Sequence, residues 1–112
     1  MDKRKVEAYM PLADSAIKKV FGDTKVDKTY RSKMSAFGAT VIMSGLLPAL
    51  AHYTKNENKV VELLEKMYNE NKDESVTLFD IAKGMSLEDL NDLKELIINY
   101  SISLKLVLNL YI

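Results

Sequence analysis

The stretch from Tyr30 to Tyr53, YRSKMSAFGATVIMSGLLPALAHY, does most to restrict what this chain can fold into. Its first part places Tyr30, Met34, Phe37 and Val41 three and four residues apart, which is one face of a helix. Ala36, Gly38, Ala39 and Ser44 are small enough to let a second helix come close. Asp27 or Thr29 can cap the start. The helix cannot run on undisturbed, because Gly45 weakens it and Pro48 lacks an amide donor. A bend or break is therefore expected between Ser44 and Pro48. A short helix then continues to about Tyr53, with Pro48 in its first turn, where the missing donor costs little.

The remaining segments also read as helices. Val6, Tyr9, Met10, Ala13, Ile17, Val20 and Phe21 predict a helix over about Lys3 to Phe21 that Gly22-Asp23 stops. Pro11 falls inside it, so either this helix kinks or a turn precedes a helix that starts at Pro11. After a polar connection from Thr54 to Asn58, residues Val60, Leu63, Leu64, Met67 and Tyr68 define another, with Glu62 and Lys66 as an i,i+4 pair. A charged loop, Asn69 to Ser75, leads to a short helix from Leu78 to Lys83 that ends at Gly84. Ser86 caps the last long helix, whose stripe is Leu87, Leu90, Leu93 and Ile97, with Glu88 and Asp89 in the first turn. From Ile102 to Ile112 apolar residues alternate with mostly polar ones, a strand period. A lone strand would leave its backbone groups unpaired, so a continued helix buried on several sides is the expectation. The sum is an all-α chain: a compact bundle of five to six helices in a single domain over residues 1–112.

At 112 residues there is room for one modest core. The chain has no cysteine, which excludes disulfides and thiolate chemistry. No apolar run reaches the ~20 residues of a membrane span, and MDKRKVEAYM lacks a signal-peptide core, so a cytoplasmic protein without a membrane role is expected. Net charge is zero but segregated. Residues 1–55 carry ten Lys/Arg and five Asp/Glu, and residues 56–112 carry six and eleven.

Catalytic constellations are hard to find. His52 is the only histidine and sits among Ala49, Leu50, Ala51 and Tyr53, which suits a satisfied or half-buried structural side chain. No HExxH, CxxC or glycine-rich phosphate loop occurs. Glu62/Glu65 and Asp89/Asp92 have helical spacing and read as solvated faces, so neither a metal nor another cofactor is expected. The positive signal is basic. Lys28 and Arg31 share one flank of the second helix, with Lys33 on the opposite flank. Lys18 and Lys19 end the first helix and Lys25 lies in the connection, so all can approach the same entrance, beside Tyr30. Such a cluster suits backbone neutralisation of a nucleic acid without sequence readout. It is equally the composition of a solubilising surface, with Lys18 and Lys19 complementing a helix dipole and Tyr30 part of the core.

A rival motif is TLFDIAKGMSLEDLNDLKELI, which scans as a helix-turn-helix. Its recognition helix would lead with Glu88, Asp89, Asn91, Asp92 and Glu95, whose carboxylates phosphates repel. A plain helical hairpin explains the segment better.

The central segment resembles the small subunit of the type III-B CRISPR effector, the Cmr RNA-silencing complex. Ser44-Gly45-Leu46 stands where that family has an Asn-Gly-Leu-like turn, and Ala49-Leu50-Ala51-His52-Tyr53 where it has an Ala-Leu-Ala-aromatic helix. Tyr30-Arg31 fits the entry, and Tyr100 with Ser103 resembles the start of the last helix. The likeness is strongest over about residues 9–68. Leu47-Pro48, Gly38 and His52 depart from the usual family residues. The resemblance implies a non-catalytic subunit that stacks in a filament with other Cmr subunits and touches the backbone of CRISPR RNA and target RNA. Lys28 and Arg31 are the leading contacts, followed by Lys25, Lys18, Lys19 and Lys33. Leu104, Leu106, Leu108 and Ile112 are the expected self or neighbour contact. The alternative is a helical protein–protein adaptor or homodimer with no nucleic-acid role, and the third reading is a helix-turn-helix regulator of DNA.

Overall fold

Six helices account for most of the chain in a computed structural model that describes residues 2–70, 72 and 75–112. They are α1 (Lys3–Phe21), α2 (Thr29–Ser44), α3 (Leu46–Asn56), α4 (Asn58–Tyr68), α5 (Leu78–Lys83) and α6 (Leu87–Leu108), with no strand among the described residues. The helix α6 lies along both α1 and α2, α1 also packs on α4, and α3 packs on α2, α4 and α5.

Local chemistry sets the boundaries. The Asp2 carboxylate accepts the amides of Arg4 and Lys5 at 3.0 and 3.4 Å and starts α1. This helix continues through Pro11, which is exposed, so the helix does not begin there. Asp27, not Thr29, opens α2: its carboxylate accepts the Thr29 amide at 2.8 Å, and that bond holds the carboxyl below its usual range. The expected break falls at Gly45, whose φ of 97° and ψ of 163° favour a residue without a Cβ. Pro48 is the third residue of α3, as its missing donor requires. That helix runs past Tyr53 to Asn56, so the expected polar connection shrinks to Glu57. Part of the loop expected from Asn69 to Ser75 lies outside the described residues. Ser86 caps α6 by accepting the Asp89 amide at 3.2 Å.

The core fills from every helix. Ile17, Met34, Phe37, Leu50, Leu63, Leu64, Leu78, Ile97, Leu104 and Leu108 are fully buried. The Phe37 ring meets Tyr53 edge-on at 5.0 Å, which clamps α2 on α3. Alternation from Ile102 onward does not make a strand. The helix α6 is flanked by α1 and α2, so it buries Ser101, Ser103, Leu104, Val107 and Leu108 around much of its circumference. The buried Ser103 hydroxyl is shared between the carbonyls of Val6 (2.8 Å) and Asn99 (2.9 Å), tying α6 to the first turn of α1. Burial raises the Tyr100 phenol to about 12, where it stacks edge-on against Tyr9 at 4.9 Å.

Several expectations need correction. Leu87 is 81% exposed and does not belong to the core stripe, because α6 reaches the bundle only further along. Leu104 and Leu108 are fully buried within this chain's own core and so cannot meet a neighbour, whereas Leu106 (44%) and Ile112 (39%) remain exposed. Glu62 pairs with Lys59 at 3.6 Å rather than with Lys66. Glu65 is half-buried rather than solvated: its carboxylate accepts the Leu78 amide at 2.8 Å and caps α5 from the side of α4. His52 is exposed, and its neighbour is Asn56, whose side chain also reaches the His52 carbonyl at 2.9 Å.

Candidate nucleic-acid interface

The connection between α1 and α2 is short, so the last turn of α1 and the first turn of α2 are neighbours. Phe21 and Tyr30 seal that junction edge-on at 5.1 Å. Tyr30 is therefore part of the packing and not an open stacking plane. The residues after α6 fold back over the same place. Leu110 and Tyr111 donate their amides to Val107 (2.9 Å) and Leu108 (3.0 Å), forming a terminal turn.

Four of the six expected cations gather around that turn. The Arg31 Nη1 donates to Asn109 Oδ1 at 2.7 Å. Lys25 and Lys28 line a surface hollow of about 510 Å³ together with Val26, Asp27 and Ile112. Lys18 pairs with Asp14 at 3.1 Å, and Asp14 also accepts the Tyr111 hydroxyl. The Tyr111 bond, with help from Lys18, holds the Asp14 carboxyl below its usual range, and the same bond raises the Tyr111 phenol. The hydrogen bond to Asp14, and then its charge, in turn raise the Lys18 ammonium.

The other two turn toward α4. Lys19 reaches Glu70 at 2.7 Å, which lowers the Glu70 carboxyl. Lys33 reaches Glu57 at 3.2 Å and lies 4.7 Å above the Tyr30 ring. Lys18, Lys19 and Lys33 are thus paired with acids. Among the described residues no carboxylate lies within 4.0 Å of the charged groups of Lys25, Lys28 or Arg31. Exposed pairs of this kind are weak, and a phosphate can take over the cation.

Asn109, Tyr111 and Asp14 were missed in the sequence, and Ile112 was placed at a neighbour contact rather than beside the cations. Arg31 and Asn109 are separated by 78 positions, and Asp14 and Tyr111 by 97. Nothing in a single sequence signals such contacts.

The rival sites fare differently. Glu88, Asp89, Asn91, Asp92 and Glu95 are all exposed on the first half of α6, an acidic surface unsuited to a DNA groove. Among the described residues no group of three or more His, Asp or Glu side chains is arranged to hold a metal ion, and no helix is long and apolar enough to cross a membrane.

Comparison with known proteins matches residues 6–105 to the family described as CRISPR-associated protein (Cas_Cmr5), well beyond the 9–68 segment that carries the sequence resemblance. Neither the curated proteins nor the solved structures returned a match. The matched region takes in all of α2 to α5 and most of α1 and α6. With the break at Gly45 and the helical order in place, the chain belongs to the Cmr5 family of CRISPR-associated proteins.

Proposed function

We propose that this CRISPR-associated subunit is a non-catalytic part of a cytoplasmic type III-B ribonucleoprotein effector. It packs beside other Cmr subunits, itself included, and holds the backbone of guide and target RNA without reading bases. The observation that carries the RNA contact is the grouping of Lys18, Lys25, Lys28 and Arg31 around one end of the bundle. Three of these have no carboxylate partner among the described residues, so their charge is available to phosphate. Lys28 and Arg31 lead, Lys25 and Lys18 follow, and Lys19 and Lys33 need release from Glu70 and Glu57. Leu106, Ile112, Ile42 and Met43 are exposed and supply apolar surface for neighbouring subunits.

Retention on single-stranded RNA tests the reading. Binding falls as salt rises, and a Lys28→Glu, Arg31→Glu double variant loses most of it. Each phosphate contact removed lowers the salt slope by about 0.7. Equal retention by the variant would return the chain to the helical adaptor reading, in which those exposed apolar side chains are the whole of its function.

A further inference from the structure

We infer that Asn109, held in place by Tyr111, is a positioning residue for the Arg31 guanidinium. This rests on the RNA-contact reading above. Arg31 is exposed on the first turn of α2 and would sample many rotamers if left alone. The 2.7 Å bond from its Nη1 to Asn109 Oδ1 fixes one edge of the fork. A guanidinium has five N–H donors in a rigid plane, so the remaining edge stays available for bidentate contact with phosphate. Asn109 is uncharged and restrains Arg31 without neutralising it. A carboxylate in its place would spend the charge.

The anchor is itself anchored. Asn109 opens the terminal turn, and two residues later the Tyr111 hydroxyl donates to Asp14 on α1. The turn is thereby tied to the α1 side of the basic end as well as to α2. Ile112 continues it into the hollow lined by Lys25 and Lys28. The end of the acidic half of the sequence is thus built into the basic surface, and pre-sets its one arginine. Ordering a side chain before binding removes that cost from the binding step.

The test is RNA affinity, with salt dependence, for Arg31→Ala, Asn109→Ala, Asn109→Asp and Tyr111→Phe in the full chain, after circular dichroism confirms folding. Asn109→Ala weakens binding by about twofold to tenfold, the range set by freeing one long side chain. Tyr111→Phe weakens it less. Both effects vanish when Arg31 is already alanine, which a general loss of structure would not produce. Asn109→Asp weakens binding and also lowers the salt slope, because the new carboxylate occupies the guanidinium. The inference is overturned if Asn109→Ala binds as well as the parent or better, or if its effect persists without Arg31. If Arg31→Ala itself leaves RNA binding unchanged, or the parent binds no RNA, the RNA-contact reading falls and takes this inference with it.

Discussion

Glu65 shows how one side chain can be assigned to the wrong setting by its spacing. At three residues from Glu62 it looks like one of two carboxylates on a wet helix face, yet it caps α5 with a half-buried carboxylate. Burial pushes its pKa up, and the neighbouring charges of Glu62 and Asp80 add to the rise, while the Leu78 amide opposes it. The folded state therefore holds this proton more tightly than the unfolded chain. Its contribution to stability is full below the ordinary carboxylate pKa and declines as pH rises through the raised folded value. Glu65→Gln keeps an oxygen for the Leu78 amide and removes the buried charge. The variant's stability relative to the parent should improve from mildly acidic to neutral pH in urea unfolding, and a difference that does not change with pH would refute this account. Asp14, Asp27, Glu70 and Asp80 act in the opposite sense. Hydrogen bonds and nearby cations lower them, so they add stability above the ordinary carboxylate range that is lost as pH falls through their folded values.

At the scale of the helices, α2 comes close to α6 at Gly38. A Cβ there would sit 3.3 Å from Ser101 Oγ, and that hydroxyl is committed to the Ile98 carbonyl at 2.8 Å. Alanine in a helix is favoured over glycine by about 0.5–1 kcal/mol, and here the squeezed hydroxyl offsets part of that gain. Gly38→Ala should therefore stabilise more in a Ser101→Ala background than in the parent, a coupling that a thermal-unfolding cycle measures. Equal effects in both backgrounds would show that Ser101 does not limit the approach. Of the small residues at Ala36, Gly38, Ala39 and Ser44, only Gly38 made this close packing legible in sequence, since the other three are exposed, whereas the pairing of Gly45 with Pro48 made the α2–α3 break legible. Leu87 was misread because its spacing to Leu90 is helical, while the partner that would bury it lies further along α6. The alternating tail was resolved by its surroundings: α1 and α2 flank α6, so a period-two pattern is accommodated on a helix buried around much of its girth.

For the molecule as a whole, the core is one continuous cluster drawn from all six helices. Removing a central side chain should unfold it as a unit. Phe37→Ala empties the space against Tyr53 and should cost about 3–5 kcal/mol, a large share of the roughly 5–15 kcal/mol that holds a domain together. Near- and far-ultraviolet circular dichroism should lose signal together at a lower temperature; separate transitions would mean that the helices do not share one core. The charge split visible along the sequence maps only partly onto this body. Lys18, Lys25, Lys28 and Arg31 collect at one end, but Lys19 and Lys33 are drawn to Glu70 and Glu57, and the turn that organises the basic end comes from the acidic half. Charge counting along a chain registers neither tie, because each joins elements far apart in sequence. Gly45 carries a consequence of another kind. With φ at 97° it is a position where natural variation is closed, since side chains rarely adopt that backbone. The segments on either side can drift in sequence so long as their buried faces persist, but a mutational library spanning them should return a single amino acid at the joint.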